Sequence, residues 1–352
     1  MSNKITKVIA RQKEKIAEGN YYEAHQQFRV ITSRYLKSSD YNSAADILSS
    51  GSLLLLRAGQ GGSGGDLAIT LLTDVYIKVQ WAVNRENKDR ILEVLKAFPP
   101  GEPTRKRFVQ ELGNWMTKEE IEGSNSERGD AELHHEIGLI FASEGEAYEA
   151  EKHLLLGQTP QSVQPLANLH YQWYREDSPH TAAIYASRSV LGYLVLGNLQ
   201  AATTAMAVFT SQLLSSNAGI PTQTIESSKS SVRIFPSLPL LNFLSLLLLA
   251  VQKGDKALFQ QLAKHYAAHL KDVNELWSDP LAQIGEIWFG IRIPRQGGNP
   301  LFDMMGSMMF GGGQRKPAGQ AGRSSTPKPA PAQISGSSAA SKEKPPVAMD
   351  LD

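Results

Sequence analysis

The chain has 352 residues, 41% of them hydrophobic and 20% charged, a balance that suits a folded protein with a sizeable core. Lys plus Arg number 36 against 35 Asp plus Glu, which excludes the large basic excess of a dedicated nucleic-acid binder. Cysteine is absent, which excludes disulfides and cysteine-ligated zinc.

Apolar residues recur at helical spacing up to residue 293, and the pattern predicts roughly 13 to 15 helices. Ile5, Ile9, Gln12 and Ile16 outline the first, with Val8 widening its apolar face. A second runs over 24–36 with Phe28, Ile31 and Tyr35 inward. Helices over 41–57 and 66–83 follow, then shorter ones over 91–98 and 108–116, flanked by Pro99, Pro100 and Pro103. Next come 131–143, 146–156 and 164–174, the pairs 181–196 with 199–214 and 240–252 with 256–269, and a closing helix over 279–291. The apolar run from Leu238 to Val251 is shorter than the ~20 residues of a membrane span. It reads as a buried helix, so no direct membrane insertion is expected. Met1 to Lys7 lacks the apolar core of a secretory leader.

Four marks interrupt the pattern: Gly19-Asn20, Gly145-Glu146, Gly197-Asn198 and Gly254-Asp255. Glycine ends a helix because it tolerates positive φ. The polar residue after it starts the next helix by capping or by complementing its dipole. Repeated helix-turn-helix units predict an all-α solenoid of tetratricopeptide-like type, a class that usually grips other proteins. One segment departs from it. Between 220 and 236, two β-prone runs around a polar turn predict a hairpin, whose strand edges suit docking. The chain divides into helical arrays over 1–150 and 151–293 and a low-complexity tail over 294–352. Residues 315–352 are poor in aromatics and rich in Ala, Pro, Ser and Gly, which predicts disorder. Residues 299–313 hold Leu301, Phe302 and four methionines, which fits either a short docking segment or a collapsed tail.

Few residues suggest chemistry. Gly59-Gln60-Gly61-Gly62-Ser63-Gly64 satisfies the dinucleotide spacing, which leaves a nucleotide-dependent enzyme as an alternative. The leucines before it continue a helix and no second strand follows, so a flexible inter-helix loop is expected. Adjacent His134 and His135 point in different directions on a helix and cannot chelate together. Lys4, Lys7, Arg11 and Lys15 are spaced to line one face of the first helix, a stripe suited to an acidic partner. Tyr22 and His25 lie nearby in sequence. A generic co-chaperone gripping acidic C-terminal peptides is a further alternative.

From Gly19-Asn20-Tyr21-Tyr22-Glu23-Ala24-His25-Gln26 onward the chain resembles the Golgi-to-ER traffic protein four family. The likeness continues at Gln60-Gly61-Gly62-Ser63-Gly64, Tyr148-Glu149-Ala150-Glu151, Asn242-Phe243-Leu244-Ser245 and Phe302-Asp303-Met304-Met305. It implies a cytosolic, non-enzymatic adaptor without a cofactor, working in delivery of tail-anchored membrane proteins. Its N-terminal half would bind the targeting ATPase through Arg11, Lys15, Tyr22, His25 and Asp74, and the spacing of the stripe adds Lys4 and Lys7 to that surface. Its C-terminal half would hold a ubiquitin-like partner through Val232, Ile234, Phe235, Leu240 and Phe243. That partner would in turn recruit a glutamine-rich co-chaperone.

Overall fold

The computed structural model describes residues 3–291 except 218, 228 and 229. The tail 294–352 and the docking segment 299–313 lie outside the described residues. Among the described residues, fifteen α-helices follow one another. They are α1 (Asn3–Ala17), α2 (Tyr21–Lys37), α3 (Tyr41–Arg57), α4 (Gly61–Thr70), α5 (Arg85–Ala97), α6 (Pro103–Thr117), α7 (Ala131–Ser143) and α8 (Ala147–Gly157). Then come α9 (Pro160–Arg175), α10 (Ala182–Val195), α11 (Leu199–Ser216), α12 (Pro239–Lys253), α13 (Lys256–His265), α14 (Ala267–Asp272) and α15 (Asn274–Phe289). Between α11 and α12 stand β1 (Gln223–Ser227) and β2 (Ser230–Ile234), paired antiparallel with Thr224 opposite Arg233 and Ile225 opposite Val232. This is the all-α solenoid with one hairpin that the helical periodicity predicts.

The glycine marks do what their sequence predicts. Gly19, Gly145, Gly197 and Gly254 all have positive φ. In each case the next residue's N–H reaches back across the helix end, as Asn20 does to the Lys15 carbonyl at 2.9 Å and Asn198 to Tyr193 at 2.8 Å. Ser39-Asp40 and Gly59-Gln60 close their helices by the same bonds. Asp40, Asn198 and Asp255 then cap the next helix through their side chains, whereas Asn20 and Glu146 make no such bond.

Several boundaries differ from the periodicity: α5 starts at Arg85 rather than at 91, and α6 at Pro103 rather than at 108. The helix expected over 66–83 starts five residues earlier, at Gly61, and passes into a π-helical stretch, Leu71–Ile77. The helix expected over 256–269 breaks at Tyr266 into α13 and α14. The last helix begins at Asn274, with Pro280 inside it rather than at its start.

The buried side chains form two clusters. One spans Ile5 to Ala150 and holds Phe28, Tyr76, Phe108 and Trp115. The other spans Leu154 to Ile284 and holds Tyr193, Phe209, Phe243 and Trp277. Helix pairs approach closely where glycine replaces a side chain. A Cβ on Gly64 would lie 2.9 Å from the Leu56 backbone nitrogen, and one on Gly138 the same 2.9 Å from that of Leu154. Both α3–α4 and α7–α8 therefore pack backbone against backbone.

Candidate partner-binding surfaces

The first surface is built on α1 and α2. The interior face of α1 buries Ile5, Gln12 and Ile16, which turns Lys4, Lys7 and Arg11 outward to solvent. Lys15 is only partly exposed and forms an ion pair with Glu23 of α2. Beside Glu23, the Tyr22 ring is 77% exposed, far above what a core aromatic shows. His25 is different. It is buried, and its Nε2 lies 3.0 Å from Asp66 Oδ2 on α4. The expected contact residue is thus turned inward to join α2 to α4, and the guanidinium of Arg29 stands 3.9 Å from the same carboxylate. Asp74 is half-buried on the π-helical stretch after α4.

The glycine-rich segment is helix, not flexible loop. Gly61, Gly64 and Gly65 are buried in the first turns of α4. A Cβ on Gly61 would overlap the Glu102 carboxylate, and one on Gly65 the Thr104 hydroxyl. Thr104 Oγ1 also donates to the Gly61 carbonyl at 3.3 Å. Glycine is needed here because α6 lies against the helix. The Glu102 carboxylate stands against the first residue of the helix, where it would repel a phosphate, and helices rather than strands flank the segment, which removes the geometric basis of the nucleotide reading. Gly61-Gly62-Ser63-Gly64-Gly65 also spells a Gly-x-Ser-x-Gly nucleophile motif. That motif needs a strand before its turn, and here helix α3 precedes it.

The second surface lies around the hairpin. Asn242, in the first turn of α12, clamps its base. The Phe235 N–H donates to Asn242 Oδ1 at 2.7 Å, and Asn242 Nδ2 donates to the Phe235 carbonyl at 2.8 Å. Both bonds are buried. Above the clamp opens a groove of about 460 Å³ between α11, the hairpin and α12. Met206, Thr210, Val232, Arg233, Leu248 and Leu249 line it, with Phe235 as its buried floor. Of the expected contact residues, the groove gathers Val232 and Phe235. Ile234 and Leu240 are half-buried outside it. Phe243 lies in the core, where its ring stacks on Trp277 at 5.9 Å, so the expectation that it faces a partner is corrected. Met206, Thr210 and Leu248 are lining residues that the sequence reading missed. Helical spacing marks such side chains only as inward, and nothing local says that α11 and α12 part beside a hairpin.

Two polar clusters stiffen the helices between these surfaces. Burial alone would raise the Glu151 carboxyl, but hydrogen bonds from His170 and Arg188 outweigh it and hold it down at about 2. His134 and His153 face each other through their Nδ1 atoms at 2.8 Å, joining α7 to α8. Burial lowers His134 to about 4 and His153 well below the usual histidine range, so both rings are neutral at pH 7. No group of three or more metal-ligating side chains gathers among the described residues. No helix among them is long and apolar enough to cross a membrane.

These two surfaces lie in a chain with close relatives. The family model for Golgi to ER traffic protein 4 matches residues 38–309. A protein of that name from Aspergillus fumigatus is 51% identical over 364 aligned residues, covering 100% of both chains. The one from Schizosaccharomyces pombe is 33% identical and covers 85% of this chain and 95% of its own. Among solved structures, the crystal structure of C. therm. Get4 superposes with a TM-score of 0.77 at 46% identity, covering 91% of this chain and 100% of that one. On the length and identity of these matches, the chain belongs to the Golgi to ER traffic protein 4 family.

Proposed function

We propose that this chain is a cytosolic adaptor in the delivery of tail-anchored membrane proteins to the endoplasmic reticulum. The α1–α2 face grips the targeting ATPase through Lys4, Lys7, Arg11 and Lys15, with Tyr22 as an aromatic anchor. Asp74 supplies a second, acidic contact. The hairpin groove holds the N-terminal region of a ubiquitin-like partner, with Val232 and Phe235 inside it and Ile234 and Leu240 at its margin. That partner recruits the glutamine-rich co-chaperone, so one array holds the donor and acceptor of the client together. His25 serves the first surface indirectly, by holding α2 against Asp66.

The observation that carries this reading is the outward stripe of Lys4, Lys7 and Arg11 on α1 together with the exposed Tyr22 ring at the start of α2. Exposed cations speed docking to an acidic surface, and tyrosine is enriched among interface anchors. The family membership supports the pathway. The test is a pull-down of the targeting ATPase by the full chain and by an Arg11→Glu/Lys15→Glu variant. Charge reversal should weaken binding by about 1–3 kcal/mol and flatten its salt dependence. Unchanged capture and unchanged salt sensitivity would remove the stripe from the interface.

A further inference from the structure

Lys15 and Glu23 face each other across the first inter-helix turn. Lys15 lies in the last turn of α1 and Glu23 in the first turn of α2. The positive φ of Gly19 folds α2 back so that the carboxylate meets the ammonium. Each charge is already favoured where it stands, a cation at a helix C-terminus and an anion at an N-terminus. The pair draws Lys15 inward, to 19% side-chain exposure against 58% for Glu23. Among the described residues, Lys4, Lys7 and Arg11 have no carboxylate partner, and Lys15 alone of the stripe is engaged.

We infer that Glu23 is an internal competitor for Lys15, which sets how tightly the α1 stripe holds an acidic protein surface. The inference rests on the ATPase-binding reading above. A partner carboxylate that approaches Lys15 must displace Glu23 or share the ammonium with it. Glu23 is 58% exposed and already sits at the Lys15 ammonium, so an acidic group of a partner that reaches Lys15 also comes close to Glu23. Like charges at an interface oppose association. Neutralising Glu23 removes that repulsion and frees Lys15 for the partner.

The experiment measures association rate and affinity for the purified targeting ATPase with the full chain, at low and at physiological salt. Four forms are compared: wild type, Glu23→Gln, Lys15→Met and the double variant. Glu23→Gln should tighten binding by about threefold to tenfold at low salt, and Lys15→Met should weaken it by about tenfold. Most of the gain from Glu23→Gln should vanish in the Lys15→Met background, because the competition needs both partners. Weaker binding by Glu23→Gln, or an equal gain in both backgrounds, overturns the competitor role. Should Lys15→Met and the Arg11→Glu/Lys15→Glu variant both bind normally, the ATPase reading itself falls and the competitor role with it. Glu23 is mostly exposed, and Lys15→Met keeps the apolar stem that Lys15 packs inward, so neither substitution should impair folding.

Discussion

The α1–α2 face and the hairpin groove are built on opposite plans. The first is a charged stripe on a continuous helix, backed by tightly packed helices in which Gly51, Gly64 and Gly65 leave no room for a side chain. The second is an apolar groove whose outer wall, the hairpin, hangs on one asparagine. A stripe displayed on such a scaffold can be altered in charge without altering shape. A groove walled by a two-stranded hairpin depends on its anchor, because an isolated hairpin is marginally stable in water. Damage to the scaffold should therefore spread differently from the two ends.

The largest effect should come from the anchor. Asn242→Leu leaves the buried N–H of Phe235 unpaired and strips one of two bonds from its carbonyl, which the Leu238 N–H still holds at 3.0 Å, at a cost of about 2–4 kcal/mol. Urea denaturation should show this loss, while the α1–α2 face keeps its affinity for the ATPase and the groove loses its partner. If both affinities fell together, the two regions would not be independent.

Next in size is acid. His134 titrates at about 4 in the fold against about 6.5 unfolded, because burial disfavours its charged form. The unfolded chain thus binds more protons between those values. Its contribution is complete above pH 6.5 and is lost as pH falls toward 4, about 3 kcal/mol in all. His153, lowered by the same cause, adds in the same direction. Glu151, held down at about 2, adds its loss only below its ordinary carboxylate range. A urea midpoint that stays level from pH 6.5 to 4 would contradict the buried neutral pair. Because that pair joins α7 to α8, acid should loosen the middle of the array.

These effects also mark how far the sequence could be read. The helical array, its glycine marks and the basic stripe follow from spacing alone, since each depends on residues within one or two turns. Three features did not. Glycine's poor helix propensity points to a loop at 59–64, and only Glu102 and Thr104, distant in sequence, reveal a helix packed too closely for any Cβ. His25 looks like a surface residue until Asp66, 41 positions away, is seen to hold it. The groove draws on α11, β2 and α12 together, and no segment carries its signature. In each case the missing information is tertiary: which backbone comes within hydrogen-bond or van der Waals reach.

The smaller predictions sharpen the contrast within the glycine-rich helix. Gly64→Ala would push a methyl group to 2.9 Å from the Leu56 nitrogen, a backbone atom that cannot swing aside. It should cost about 1–3 kcal/mol, as overpacking does, and should weaken ATPase binding by shifting α4 and with it Asp66 and Asp74. The groove, whose walls lie in the other core cluster, should keep its partner. Two residues earlier the same change has the opposite sign. Gly62 is exposed, has no heavy atom within 4 Å of its would-be Cβ and does not carry positive φ. Alanine there reduces the freedom of the unfolded chain without a clash, so Gly62→Ala should stabilise by about 0.5 kcal/mol. A thermal melt that ranks Gly62→Ala above wild type and Gly64→Ala below it would show that this segment's glycines are there for packing against α3 and α6. Equal destabilisation by both would instead mean that the segment needs a flexible backbone, and the helix start at Gly61 would be wrong.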